Sequence, residues 1–266
     1  MFIEKEKLLR GKNVYVDLED ANGKKAGLGV EVWLLEPGDV LSEVLDGTEA
    51  AYILFEGQVE FIANEKAYPA KRKNLFEEDA YCLHASAGTK IEIQAKTNCE
   101  IFVQKAKNER AFDVVMYAPD DVVNVRAGEN VLQDAMRRDI KTFFDYHTAP
   151  YSNMVLGEIL CYPGRWSSYP PHAHVQPEIY FFKFDKPQGF GLGLCNGNAY
   201  KTTHNSLMVI TEEGHSQVTA PGYACCYVWG IVHLPGNPWL REESVFDKEH
   251  QWLLAPDVDE HILQEK

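Results

Sequence analysis

His172, His174 and Glu178 fall in an H-x-H-x3-E spacing within residues 166–182, WSSYPPHAHVQPEIYFF. Residues two apart on a strand share a face, so the two imidazoles project together. Glu178 opens the next apolar run after a short turn holding Pro177. Two imidazoles and a carboxylate from adjacent strands can converge on one divalent ion and leave positions open for a fourth ligand and a substrate. His215, in a later strand-like segment, is the fourth candidate. A bare histidine pair is more often surface or hydrogen-bonded core than a ligand set. The carboxylate at the right distance, the stiff Pro170-Pro171 approach and His215 together favour metal, of the open kind used for chemistry.

The elements that must position these residues read as strands. Residues 30–35, 51–55, 58–62, 90–94, 100–104 and 223–229 are short apolar runs closed by Gly, Pro, Asn or Asp. Helical signals are few: residues 129–137 predict a short helix, and the acidic stretch after Asp257 adds a turn. The class is all-β, a sandwich or barrel.

An internal repeat refines that class. Residues 36–42, EPGDVLS, resemble residues 162–168, YPGRWSS, at an offset of 126 (163 − 37). The upstream runs 32–35 and 158–161 share this register, as do residues 87–91 and 213–217, with Gly88 under Gly214. Three segments in one register predict two tandem copies of a β-domain. Subtracting 126 from 172, 174, 178 and 215 lands on Asp46, Thr48, Tyr52 and Thr89, and a residue of slippage adds only Glu49. The first copy is therefore expected to lack the site and to serve as a packing partner.

The chain has 266 residues and a formal net charge of −14. That charge, with no basic patch to offset it, argues against nucleic acid and anionic membranes as partners. No run is long enough to span a bilayer and the first ten residues lack a signal-peptide core, so the cytoplasm is the expected compartment. The six cysteines, Cys82, Cys99, Cys161, Cys195, Cys225 and Cys226, contain no C-x-x-C pair and read as reduced and structural. Neither a Rossmann nor a P-loop pattern occurs, so no organic cofactor site is expected.

Residues 163–174, PGRWSSYPPHAH, followed by EIYFFKF (178–184) and PQGFG (187–191), resemble the 5-deoxy-glucuronate isomerase family of bacterial inositol catabolism. The resemblance extends to residues 73–77 and 80–83 in the first half and to 221–223 and 247–252 near the end. It implies a tandem cupin (bicupin) of two jelly-roll-like β-barrels, with residues 1–122 the N-terminal cupin without metal and residues 123–266 the C-terminal cupin with it. It further implies conversion of 5-deoxy-glucuronate to 2-deoxy-5-keto-gluconate, one divalent ion and a homodimer or higher homo-oligomer. Zinc and manganese are the expected ions; iron and nickel suit the same ligands. The related 4-deoxy-5-keto-uronate isomerases share the superfamily. The family's usual Lys between the histidines and Asp after them are here Ala173 and Val175, and Pro177 replaces an acid before the carboxylate.

An aldose–ketose isomerase must move a hydrogen between adjacent carbons. An ion held by His172, His174, Glu178 and His215 can polarise the carbonyl as a Lewis acid. As a full ligand Glu178 is a poor base, so another group must carry the proton. Tyr180, on the Glu178 strand face by alternation, and Gln217, two residues after His215, are the candidates, each with a structural role as the alternative. The substrate is expected to be a small sugar acid. Arg165 and Lys183 are the nearest cations in sequence, but alternation turns both away from the site and predicts surface positions. His233 is placed at the rim, and His84, His147, His204, His250 and His261 default to surface or core. Two other readings stay open: an iron-dependent cupin dioxygenase and a non-catalytic sugar-binding bicupin.

Overall fold

Alternation along the strands decides which side chains meet. In the Glu178–Phe184 strand, Ile179 and Phe181 face one way while Tyr180, Phe182 and Phe184 face the other, and all are buried. In the Thr48–Ala63 strand, Ala51, Ile53 and Phe55 oppose Ala50, Tyr52 and Leu54 in the same manner. Strands buried on both faces must lie between two apolar layers. The computed structural model, which describes residues 1–211 and 214–263, shows those layers.

One large sheet runs in the order Val115–Tyr117, Cys82–Ala85, Thr48–Ala63, Cys99–Lys107, Gly29–Leu35 and Gly11–Val16. The second runs Phe2–Glu4, Ser206–Ile210, Glu178–Phe184, Cys225–Val232, Met154–Cys161, Arg138–Phe144 and Val123–Ala127. Each curls against smaller strands to enclose its own core, around Trp33, Tyr52 and Phe61 in one case and Phe182, Tyr227 and Trp229 in the other. A third cluster holds the large sheets back to back, with Phe55 stacked on Phe102 and Phe181 and Phe102 tilted against Phe181, ring centres 5.4–6.1 Å apart. Full burial of each such ring contributes about 1.5–3 kcal/mol. Polar groups cross this interface too. Gln104 donates to the Val155 carbonyl at 3.1 Å, and Lys183 reaches Glu100 at 2.7 Å.

The repeat is visible in the ladders. Val30 pairs with Gln104 and Leu156 pairs with Gly230, the same pair displaced by 126 (156 − 30 and 230 − 104). The Glu178 strand departs from this register by two residues. Glu178 pairs with Ile231, whose counterpart Lys105 (231 − 126) pairs with Ala50, so Ala50 rather than Tyr52 stands in the place of Glu178. At the positions of Gly157 and Ile159 the first copy carries Glu31 and Trp33 (157 − 126 and 159 − 126). Lys105 bonds both Glu31 and Glu43 at 2.9 Å, Tyr52 donates to Glu43 at 2.7 Å, and Trp33 is fully buried, filling that end of the first barrel. Glu213, one position in the Gly88/Gly214 match, lies outside the described residues.

The helix expected over residues 129–137 does not form. Leu132, Gln133 and Asp134 all have positive φ, which leaves a single 3-10 turn. Nine residues are too few to repay helix nucleation unaided, and here Leu132 is instead buried with Leu253 and Val258. The segment ends by entering a strand at Arg138. A helix not expected from the sequence spans Ala21–Ala26, capped by the Asp20 side chain and closed by Gly27 in the left-handed region. The turn after Asp257 is present as Val258–Glu260. All six cysteines are free and buried. No described helix is long and apolar enough to cross a membrane.

Candidate metal centre

Local backbone brings the candidate ligands together. The Trp166–Ala173 strand pairs regularly at Trp166 and Ser167, then shifts register before His172 pairs with His215. Within that irregular stretch Ser168 sits at φ 53°, and Pro170 and Pro171 lack N–H groups for a regular ladder. His172 is thus delivered opposite His215, with ring centres 4.6 Å apart. His174 follows just beyond the strand, its ring 6.3 Å from His172 and 5.5 Å from His215. Each of these three histidines offers a nitrogen within 4.8 Å of the others. Glu178 opens its strand directly below, with Oε2 3.1 Å from His174 Nε2 and 3.0 Å from His215 Nε2. All four predicted ligands therefore share one site.

The electrostatics suit a cation. Burial alone would raise the Glu178 carboxyl, but hydrogen bonds from His174 and His215 outweigh it and hold the group down at about 2. Burial, with His215 beside it, pushes His172 down to about 4 against the pull of Glu178. His174 Nδ1 lies 2.8 Å from the Gln176 carbonyl. Its Nε2 lies 3.1 Å from Glu178 Oε2, so three imidazoles and a carboxylate gather nitrogen and oxygen donors of the kind that bind a divalent ion. The donor set fits a divalent ion on these grounds.

The site opens into a cavity of about 370 Å³. Its walls include Tyr180, Ser168, Tyr169, Ile159, Trp229, Trp239 and Phe246, besides His172 and Glu178. Tyr180 is brought to this wall as its strand face predicts, with its hydroxyl 2.7 Å from Ser168 Oγ. Gln217 is not brought there: it is fully buried, and its amide donates to the Cys161 thiol at 3.0 Å. Lys183 faces away from the site but is not on the surface; it is buried against Glu100 and Asn205. His233 lies outside the cavity, its Nδ1 accepting from the Trp239 N–H at 3.0 Å. Sequence reasoning missed Arg138 and Arg241, both of which line the cavity. For Arg138 the signal was present but hidden by the helix expected up to residue 137.

Two back-to-back β-barrels, one carrying three histidines and a carboxylate at the mouth of a cavity, define a bicupin with a candidate metal centre. The KduI/IolB family model matches residues 2–253, and the chain belongs to that family. It is 23% identical to a 5-deoxy-glucuronate isomerase of Bacillus velezensis, over 94% of this chain and 96% of that one. Among solved structures it resembles an IolB-like protein of Salmonella typhimurium, with a TM-score of 0.84 at 18% identity, covering 96% of this chain and 99% of the other. A cupin 2 conserved barrel domain protein of Leptotrichia buccalis shares the fold at TM-score 0.52 and 12% identity, covering 86% and 92%.

Proposed function

We propose that this protein is a metal-dependent isomerase of sugar acids, converting 5-deoxy-glucuronate to 2-deoxy-5-keto-gluconate in myo-inositol catabolism. The observation that carries the reading is the convergence of His172, His174, His215 and Glu178 at the wall of a ligand-sized cavity. The activity of the relatives, named 5-deoxy-glucuronate isomerases, supports the substrate. His172, His174, His215 and Glu178 would hold one divalent ion, which would supply Lewis-acid polarisation of a carbonyl beside a hydroxyl.

The remaining work falls to the chain's own groups. Burial, reinforced by the Glu178 charge, raises the Tyr180 hydroxyl well above its ordinary range, so it keeps its proton and acts as a donor to a substrate oxygen. Ser168 Oγ stands 2.7 Å behind it, Tyr227 Oη lies 3.4 Å from Ser168, and Ser167 Oγ lies 2.7 Å from Tyr227. This run of hydroxyls fixes the orientation of the Tyr180 hydroxyl at the cavity wall. Trp229, Trp239 and Phe246 form apolar walls that limit water around the reacting carbons.

The test is turnover of 5-deoxy-glucuronate followed by NMR. A ketose should form without nicotinamide, oxygen or ATP, EDTA should stop it, and Glu178→Gln should lower kcat by at least about 100-fold. In D2O, proton transfer should place deuterium beside the new carbonyl. Turnover of 4-deoxy-5-keto-uronate instead would keep the reaction class and replace the substrate. No product from either acid would overturn the isomerase reading in favour of a binding protein.

A further inference from the structure

The cavity beside the candidate metal centre carries a charge opposite to that of the protein. Its lining holds two cations, Arg138 and Arg241, and a single acid, Glu178, already engaged by two histidines. Elsewhere in this acidic chain Arg10, Arg72, Arg126 and Arg137 each reach a carboxylate. Among the described residues neither Arg138 nor Arg241 does. Arg138 gives one N–H to the Met136 carbonyl at 2.7 Å, and its Nε is buried with no partner. Arg241 has only a long contact of 3.4 Å to the Thr142 hydroxyl, and its guanidinium stands 5.8 Å from the Trp229 ring centre.

Two more donors sit in the same walls: the indole N–H groups of Trp229 and Trp239 are buried without acceptors. A buried unmatched donor such as Arg138 Nε is costly to leave open, while Arg241 is exposed to solvent beside the cavity, and the two like charges repel. The complement of such a lining is an anion rich in acceptor oxygens, and a guanidinium takes a carboxylate through two parallel bonds. Alternation explains the aim of Arg138, since it shares a strand face with Ile140, which also lines the cavity.

We propose that Arg138 and Arg241 form the subsite that receives the substrate's carboxylate, so that the cavity selects acids over neutral sugars of the same shape; this rests on the sugar-acid reading above. Trp229 supports the Arg241 guanidinium from its ring face. The reacting end of the substrate is then directed towards Glu178 and His172.

The experiment compares D-glucuronate with its methyl ester, which lacks the charge and carries one added methyl group, as ligands of the metal-loaded protein by calorimetry. Wild type should bind the acid at least about tenfold more tightly, the equivalent of one charge-assisted contact of about 1.4 kcal/mol. Arg241→Gln and Arg138→Lys should reduce that preference to threefold or less while retaining wild-type metal content. In turnover the same variants should raise KM far more than they lower kcat. Equal binding of the two probes by wild type, binding of neither, or an undiminished preference in both variants would each overturn the subsite. Because the preference is read without turnover, loss of the isomerase reading alone would leave it intact. Turnover with an unchanged KM in both variants would sink the subsite alone.

Discussion

Arg72 and Glu158 come from different barrels and meet through two parallel N–H···O bonds of 2.8 Å, with both side chains fully buried. Arg72 also donates to the Leu54 and Glu78 carbonyls, so its fork is nearly saturated. A buried pair of this kind adds little net stability over an apolar pair but is expensive to break on one side. Arg72→Met should therefore cost about 3–5 kcal/mol, read as a fall in the denaturant midpoint. Arg72→Met combined with Glu158→Leu should recover most of that loss. A double variant as unstable as the single would show that the pair sets the fit of the sheets rather than merely its own charge balance.

Metal content gives a second expectation. Protein purified without chelator should carry about one divalent ion per chain, because among the described residues only the second copy gathers three histidines beside a carboxylate. His174→Ala should lose it, and Asp46→Ala and Thr48→Ala should keep it. Loading to about 100 times Kd should stabilise wild type by about 2.7 kcal/mol and leave His174→Ala unmoved. Two ions per chain by elemental analysis would contradict the one-site arrangement.

The floor of the cavity depends on a missing side chain. A Cβ on Gly157 would lie 2.3 Å from the Lys141 carbonyl and 2.4 Å from Trp229 Nε1. Gly157→Ala should cost about 1–3 kcal/mol by overpacking and displace the Trp229 indole. Its mark would be a changed tryptophan fluorescence spectrum with kcat/KM reduced at least tenfold; unchanged fluorescence and activity would show that the wall yields freely.

Acid should weaken the fold through His204. Burial, then repulsion from Lys183, pushes this imidazole down to about 4 in spite of its bond with the Phe184 backbone. The neutral Nδ1 can accept the Phe184 N–H at 3.1 Å, and the Phe184 carbonyl, which would accept from the charged ring, lies at the same distance. A depressed folded pKa means that the unfolded chain binds the proton first, so this contribution is complete above about pH 6.5 and is lost as pH falls towards 4. Urea midpoints at pH 7.5 and 5.0 should differ less in His204→Asn, which keeps an acceptor without the titration. An identical pH dependence in both proteins would remove His204 as a cause.

What could be read from the sequence follows a physical line. The H-x-H-x3-E ligands and Tyr180 were legible because strand alternation is a local rule, and the tandem repeat because its turns recur at one offset. Arg138 was hidden, since VLQDAMRR has helical composition while its backbone is set by distant contacts to Leu253 and Val258. Lys183 was assigned to the surface because nothing local announces Glu100 across the interface. The cap of the Ala21–Ala26 helix was legible in Asp20 and Gly27, but six residues make a weak pattern. Gln217 obeyed alternation yet points into the core at Cys161, which two-residue periodicity cannot distinguish from the cavity.

The Phe2–Glu4 strand pairs with Ser206–Ile210 and borders the sheet that carries Glu178. A ribosome makes residues 2–4 about 200 residues before their partner at residues 206–210. Chains are extended at about 5–20 residues per second, so the early strand waits on the order of ten seconds or more with its ladder groups unsatisfied. Throughout that interval the first barrel can close while the second sheet lacks its border. The nascent chain thus completes the sheet that carries Glu178 last, by reaching back to a segment made about 200 residues earlier.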